Sequence, residues 1–327
     1  MYSIEELDFK NDSEEEQIRT RKIFENIKER CKNGKPVSEH EKDFFGLGVK
    51  LSWRNDGKMK DYPCCENYLF KLTYLSYLRD LLGNGEYGKV KGRAIYKIEE
   101  MEKDRNISYL SKVANSWLKI INITNHSDEL LKQISTETRG ELKKIDSNKG
   151  LLIFKKDKER YQLNKRRILL QSKYIYCTAL LIFEIFDNKD FIFYLNGQDI
   201  EINEYSIIHI LNRHFSEVTK QNFDKSYHGE DIKPKYLNKI LKEIITNIDE
   251  SKHLENKSIN NVNFRYKEKD YAIWINKRTK QIKGKGNVKY NRLETFYPIE
   301  NMGELKKLKD EFDYRQVNED IGVYVKK

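Results

Sequence analysis

The sequence predicts an α+β protein in which a helical N-terminal domain, residues 1–187, precedes a small antiparallel-sheet domain, residues 188–327. Apolar residues of the first half recur at helical spacing. The second half instead contains short runs of β-branched and aromatic residues separated by turn signals. The length agrees, because 327 residues exceed the roughly 100–200 residues of a typical domain.

The composition is that of a very polar but foldable chain. Lys and Arg number 62 against 52 Asp and Glu, a net charge of +10, while 21 Tyr and 15 Phe can bury a core. No run reaches about 18 apolar residues, and the acidic first residues lack the order of a secretion signal. The four cysteines lack the spacing of a metal or redox site. We therefore expect a cytoplasmic protein with reduced cysteines and without a metal, a cofactor or a membrane span.

Capping signals place the helices of the first half. Ser13 with Glu16, and Ser38 with Glu41, have the S-x-x-E form of a capping box, and an amphipathic run follows each. Residues 68–82 are apolar around most of the helix circumference, which predicts a central core helix. Further helices are predicted over 108–121 and 128–144, and a basic-faced helix over 155–173 leads into a buried one over 174–186. The basic face is either simply solvated or a second contact surface for a polyanion.

The second half begins with a predicted hairpin, in which Asn196-Gly197 is the turn between strands 191–195 and 198–202. A helix is predicted from Glu204 to Phe215, and another from Pro234, which suits a first helical turn. Strands are then predicted at 262–266, 271–275, 279–282 and 293–298, followed by a helix over 302–312 and a short strand over 322–325.

Candidate catalytic groups lie on the helix that begins at Glu204. At about 100° per residue, His214 falls on the apolar stripe, whereas His209 lies opposite, on the face of Arg213. One regular helix cannot direct both imidazoles to one point. Either the helix ends near Arg213, or only one His is catalytic. Imidazole titrates near neutrality, which favours a site, but a structural role for either His is an open alternative.

A basic segment with interleaved aromatic residues covers 271–293, with seven Lys or Arg and no acidic residue. Lys and Arg neutralise phosphates, and aromatic rings stack on exposed bases. Lysines also blunt the edges of sheets, but a run of one sign favours nucleic-acid contact. Its glycines around residue 284 predict a flexible basic loop. The expected nucleic-acid-binding residues are Lys277, Lys280, Lys283, Lys285, Lys289, Arg292, Tyr271 and Trp274.

The segment Glu294-Thr295-Phe296-Tyr297-Pro298 closes a predicted strand. Alternation puts Thr295 and Tyr297 on one face and Phe296 on the other. Two hydroxyls on one face could orient a phosphate or a water, although β-propensity alone also explains them. The nearest acidic group, Asp224, Glu230 and Asp231, is predicted to be a loop and not a metal site.

In chain order, a strand–Asn-Gly–strand hairpin, "HILNRH", an Ile-rich helix, "FRYKEKDYAIWI" and "ETFYP" resemble the barnase–EndoU–colicin–RelE (BECR) nuclease superfamily. The likeness is to its phage-linked and polymorphic-toxin branches, where a helix bearing "RH" precedes a small sheet with a "T-x-[YF]-P"-like strand. It covers residues 190–300 and does not extend to the first half. It implies a metal-independent ribonuclease fold with a His, basic residues and a hydroxyl gathered on the sheet. The residues it marks are His209, His214, Arg213, Thr295, Tyr297 and, as a weaker match, Arg278.

The residues and the resemblance together predict an endoribonuclease that cleaves RNA through attack of its 2′-hydroxyl. His209 or His214 would be the base and the other the acid, unless Tyr297 takes one role. Arg213, Arg278 and Thr295 would hold the phosphate. The resemblance implies a toxin or antiviral-defence effector, with tRNA as a natural substrate and an antitoxin-like or regulatory protein as a partner. The first domain would bind substrate or restrain the activity.

Two other functions fit the same residues. A non-catalytic nucleic-acid-binding protein would use the basic segment for docking alone and would not depend on either His. A protein-interaction or inhibitor module would instead offer Trp274 and Tyr271 as anchors for a partner.

Overall fold

The chain forms two compact units in the computed structural model. Unit 1 comprises Met1–Asn122 and Gly140–Ile185, and unit 2 comprises Ile123–Arg139 and Phe186–Lys327. The division between Ile185 and Phe186 lies within two residues of the predicted boundary, but residues 123–139, predicted in the first domain, belong to unit 2. The structure describes residues 1–8, 13–46, 66–77, 88–91, 94–97, 100–147, 154–215, 226–229, 232–282, 284 and 286–327.

Unit 1 is mainly helical in its described part. Residues 39–46 are also helical, and a small hairpin that the sequence did not predict is formed by β1 (Gly88–Lys91) and β2 (Ala94–Lys97). The helix α5 passes from unit 2 into unit 1 at Gly140. The helices are α1 (Ile4–Leu7), α2 (Glu14–Lys32), α3 (Glu66–Tyr77), α4 (Glu100–Ile121), α5 (Glu129–Asp146) and α6 (Lys155–Ile185).

Both predicted capping boxes are confirmed. The Ser13 hydroxyl accepts from the Glu16 backbone N–H at 3.1 Å, and the Glu16 carboxylate accepts from the Ser13 N–H at 3.3 Å. Ser38 and Glu41 form the same reciprocal pair, at 3.3 and 3.0 Å. The predicted core helix over 68–82 corresponds to α3, and its last residues lie outside the described part.

The helix α6 joins two predicted segments into one continuous helix of 31 residues. It is the one described helix that is long and apolar enough to cross a membrane, but 56% of its apolar window is buried within the protein. Its Ser172 hydroxyl accepts from the Trp117 indole N–H at 2.7 Å, a bond between two buried side chains. These features are those of a helix that packs within the protein core.

Unit 2 contains a seven-stranded mixed sheet in its described part, with the strands β3 (Ile192–Leu195), β4 (Gln198–Glu201), β5 (Asn261–Tyr266), β6 (Lys269–Ile282), β7 (Gly286–Pro298), β8 (Phe312–Gln316) and β9 (Ile321–Lys326). Their order in the sheet is β3-β4-β7-β6-β5-β9-β8. The sequence predicted an antiparallel sheet, and this prediction is wrong at one pair, because β4 and β7 are parallel. Parallel neighbours need a long crossover, and the described residues between these two strands include two α-helices and two other strands.

Turn chemistry was predicted well, but strand length was not. Asn196 and Gly197 have φ of 49° and 78°, as a tight hairpin turn with two left-handed residues requires. The strands predicted at 271–275 and 279–282 are one 14-residue strand, β6, and β7 is 13 residues long. Most of the basic segment therefore lies on a paired β6–β7 hairpin, with Gly284 (φ 83°) at its turn.

The two faces of the sheet carry different side chains. On one face Phe264, Tyr271 and Phe296 form an aromatic core, with ring centroids 5.4–6.0 Å apart. On the other, Ala272 and Tyr324 pack in a cluster with the helix that follows β7. The helices of unit 2 after β4 are α7 (Glu204–His214), α8 (Leu237–Glu250) and α9 (Met302–Glu311).

Candidate active site

The helix α7 is fixed beside the second half of β7. Asn203 caps the helix in a reciprocal pair with Ser206, and the buried Ser206 hydroxyl donates to the Leu293 carbonyl at 2.6 Å. The strand β4 pairs with β7 only at Asn291 and Arg292, so α7 attaches where β7 continues past the end of β4. The helix ends at His214, and Phe215 is extended, which leaves His214 at the junction of helix and loop.

His214 is held between a backbone carbonyl and a hydroxyl. Its Nδ1 lies 3.2 Å from the Ser226 carbonyl oxygen, and its Nε2 lies 3.1 Å from Thr295 Oγ1. Because a carbonyl can only accept, Nδ1 carries a proton, and in the neutral imidazole Nε2 accepts the hydrogen of Thr295. A base hydrogen-bonded to a hydroxyl and oriented by a third group is the usual arrangement for activating an O–H bond.

Two aromatic side chains complete this arrangement. The Tyr297 ring stacks on His214 with centroids 5.3 Å apart, so Thr295 and Tyr297 contact His214 from the same strand face. The Trp274 indole N–H donates to the Tyr297 hydroxyl at 3.3 Å, and Trp274 is 43% exposed. Burial raises the pKa of Tyr297, and the hydrogen bond from Trp274 offsets this rise only in part. The phenol is therefore protonated at neutral pH.

His209 does not share these bonds, as the helical wheel predicted. It stacks on Tyr205 with centroids 5.4 Å apart, and the Arg292 guanidinium lies 3.9 Å above the same Tyr205 ring. Burial, with the nearby charge of Arg213, lowers the pKa of His209 to about 4. His209 is therefore neutral at physiological pH.

Glu294 sits at an irregularity in β7 that the sequence did not reveal. Trp274 pairs with Thr295 and Ile275 with Leu293, so Glu294 has no partner residue on β6. A bulge of this kind re-aims neighbouring side chains, and bulges are frequent beside active sites. The only sequence signal is that Glu294 immediately follows the long basic run.

Glu294 binds two arginines that the sequence assigned to RNA or phosphate. Its carboxylate accepts from Arg278 Nε at 2.7 Å and from Arg292 Nε and Nη2, both at 3.0 Å. Burial opposes ionisation, but the hydrogen bonds from both arginines outweigh it and lower the pKa of Glu294. Arg278 and Arg292 are thus engaged with Glu294, whereas Arg213 is exposed beside the histidines.

The remaining candidate residues differ in position. Lys277 and Lys289 are exposed on the β6–β7 hairpin, and Lys280 pairs with Glu201. Lys283 and Lys285 lie outside the described residues, as do Asp224, Glu230 and Asp231. In the described part of the chain, no group of three or more His, Cys, Asp or Glu side chains is arranged to hold a metal.

Tyr271 requires a correction. It is 1% exposed and stacks on Phe264 and His228 within the core, so it can neither stack on a base nor anchor a partner. Alternation along β6 explains the error, because Tyr271 shares a face with buried Ile273 and not with exposed Trp274.

His228 is a site neighbour that the sequence analysis missed, since it stands in a polar stretch without periodicity. Its Nε2 donates to the Phe296 carbonyl at 3.1 Å, and its backbone N–H donates to the His214 carbonyl at 2.9 Å. Burial lowers the pKa of His228 to about 3, with His214 adding to the effect. His228 therefore acts as a neutral core residue that fastens the chain after His214 to β7.

Comparisons with known proteins give no relative. No protein-family model, no curated protein and no solved structure matches the chain significantly. The resemblance to the BECR nucleases stays a prediction, and the chemistry of the site rests on its own geometry.

Proposed function

We propose that unit 2 is a metal-independent endoribonuclease that cleaves RNA by transesterification through the 2′-hydroxyl. The observation that carries the proposal is the pair formed by His214 Nε2 and Thr295 Oγ1, 3.1 Å apart, with the imidazole oriented by the Ser226 carbonyl. RNA provides its own nucleophile, so one positioned base, one acid and a cation suffice.

In the proposed reaction the substrate 2′-hydroxyl takes the place of the Thr295 hydroxyl at His214 Nε2. The imidazole removes the 2′ proton, the O2′–P bond forms, and the P–O5′ bond breaks. Tyr297, whose phenol stays protonated and lies against His214, gives its proton to the leaving 5′ oxygen. The products are a 2′,3′-cyclic phosphate and a 5′-hydroxyl. The low pKa of His209 argues against its use as the acid.

The charged groups divide into two roles in this proposal. Arg213 is exposed beside the imidazoles and would neutralise the scissile phosphate, while Thr295 donates to one of its oxygens. Arg278 and Arg292 are positioning residues, because their bonds to Glu294 fix the backbone next to Thr295. Lys277 and Lys289 would guide the RNA backbone along the hairpin.

The biological setting belongs to the same proposal and rests on the sequence resemblance. We expect a cytoplasmic toxin or antiviral effector, with tRNA among its substrates and an antitoxin-like or regulatory partner. Unit 1 would bind substrate or restrain the nuclease.

The test is to incubate the purified full chain with total RNA and with tRNA in the presence of EDTA. We expect cleavage that leaves 2′,3′-cyclic ends, identified by mass spectrometry, and its loss in His214→Ala. The matched control is His253→Ala, at a histidine whose ring bonds only to the Gln316 carbonyl among the described residues. Intact RNA with wild-type protein, or equal cleavage by His214→Ala, would refute the proposal.

A docking function without cleavage is the second candidate, favoured by the exposure of Lys277, Lys289 and Trp274. It predicts salt-sensitive RNA binding, no cleavage and no effect of His214→Ala. The protein-interaction alternative loses one of its two anchors, because Tyr271 is buried.

A further inference from the structure

A cavity of about 580 Å³ opens beside the candidate active site, between α9 and the face of the sheet that carries Trp274 and Tyr297. Its volume lies within the range of small-molecule sites, about 300–1,000 Å³. Leu308 and Tyr324 contribute to a partly apolar lining. Tyr297 lines the cavity and also stacks on His214, so one side chain links the cavity to the proposed catalytic pair.

Asn263 is the unusual group in this lining. It lies on β5 between Ala272 of β6 and Tyr324 of β9, and it is 7% exposed. Its side-chain amide has no hydrogen bond to the described residues, and the amide atoms are not fully enclosed, so they are open to a ligand in the cavity. An amide carries donors and an acceptor, and a ligand that offers a complementary polar edge can pair with both.

We propose that this cavity binds one unpaired nucleobase of the RNA substrate, next to the scissile phosphate. The assignment rests on the proposed function, because it takes RNA to be the ligand. The exposed Trp274 ring offers a stacking surface, and the Asn263 amide can form paired hydrogen bonds with a base edge, as asparagine does with adenine. A base in a duplex would hide that edge, so the substrate is single-stranded at this point.

The cavity lining carries charges of both signs. Glu304 and Glu311 are exposed on it, and a carboxylate can accept from an exocyclic amino group of a base. Lys257, Lys307 and Lys326 are also on the lining and are exposed, where they can neutralise the RNA backbone.

The test uses labelled hexanucleotides of A, C, G or U with 2′-O-methyl groups, which block the 2′ attack and allow binding to be measured without cleavage. Fluorescence anisotropy with the full chain gives four affinities. We expect one base to bind at least about tenfold more tightly than another, and Asn263→Ala to reduce the difference below about threefold. Trp274→Ala should weaken all four by about tenfold. Asn276→Ala, an exposed asparagine on β6 outside the cavity, is the matched control and should change nothing.

Equal affinities in the wild-type protein, or an unchanged preference in folded Asn263→Ala, would overturn the assignment. If Asn263→Ala fails to fold, Trp274→Ala decides, because its side chain is exposed, and wild-type affinity in that variant also overturns the assignment. If unmodified RNA is cleaved without base preference, the base-binding assignment is refuted and the nuclease proposal stands. If binding is base-selective but no RNA is cleaved, the nuclease proposal is refuted and the base-binding assignment stands.

Discussion

Thr295 Oγ1 lies 3.1 Å from His214 Nε2, across 81 residues of sequence. The hydroxyl comes from a bulged strand and the imidazole from the last residue of a helix, so two independent elements determine the pair. The proposed chemistry requires the hydroxyl of Thr295, whereas the rest of the side chain could be replaced by one of similar shape, such as valine.

Thr295→Val should therefore lower RNA cleavage by about 100-fold, the loss typical of one catalytic hydrogen-bond donor. Thr295→Ser keeps the hydroxyl and should retain most of the activity. The measurement is single-turnover cleavage of a defined RNA. Equal rates for the Val and Ser variants would show that the hydroxyl does not act in the reaction.

Acid should destabilise the fold through His209 and His228. Burial lowers their pKa values to about 4 and about 3, below the usual 6.5, so the unfolded chain binds more protons at mildly acidic pH. The free energy of unfolding should fall as the pH drops from about 6.5 towards 4. Urea unfolding across this range measures the slope, which should be shallower in His228→Asn. A slope equal to that of wild type would exclude His228 as its source.

The carboxylate of Glu294 and the two arginines that bind it, Arg278 and Arg292, form a charged clamp, whose contribution to stability can be measured. Glu294→Gln leaves Arg278 and Arg292 without their charged partner and should lower the free energy of unfolding by about 1.5–3 kcal/mol, the usual value of hydrogen bonds to charged groups. The lowered pKa of Glu294 means that its contribution is present at neutral pH and is lost as the pH falls through the folded-state pKa. Chemical denaturation at neutral pH should reveal the difference. Wild-type stability of the variant would mean that the clamp contributes nothing.

A buried asparagine on α8 should be replaceable with a gain in stability. Asn238 is fully buried, and neither amide atom has a hydrogen-bond partner in the part of the chain that the structure describes. Asn238→Leu should raise the free energy of unfolding by about 1 kcal/mol, because the polar cost disappears. Asn247→Leu on the same helix is the control. Its amide donates to the Glu243 carbonyl and accepts from Asn318, so no gain is expected.

The salt dependence of RNA affinity should show whether the β6–β7 hairpin contacts RNA. If Lys277 and Lys289 contact RNA phosphates, each Lys→Ala change should reduce the slope of log affinity against log salt by about 0.7. Fluorescence anisotropy at several salt concentrations gives the slope, and Lys239→Ala on α8 is the control. Unchanged slopes would place the RNA away from this surface.

Local sequence signals predicted the local features of this protein. The capping boxes at Ser13 and Ser38 and the Asn196-Gly197 turn are confirmed, because each depends on a few neighbouring residues. The α+β class is also confirmed. The parallel pairing of β4 with β7 was not predictable, since it depends on how about 90 intervening residues fold.

Features of the site that depend on distant partners could not be derived from the sequence. Period-two alternation puts Tyr271 and Trp274 on opposite faces of β6 but does not say which face is buried, and both were therefore predicted to be contact residues. The sequence assigned no role to Glu294, His228 or Asn263. Their roles become visible only when the arginines, the Phe296 carbonyl and the cavity are located in space.

The extra residue at Glu294 has a consequence for recognising other chains of this kind. Cross-strand pairing puts Arg292, Thr295 and Trp274 on one side of the sheet and Leu293 and Phe296 on the other. Deleting one residue here would move the side chains of β7 on one side of the bulge to the opposite face of the sheet. In an evolutionary lineage that keeps the chemistry, the number of residues between this arginine and this threonine should therefore stay the same.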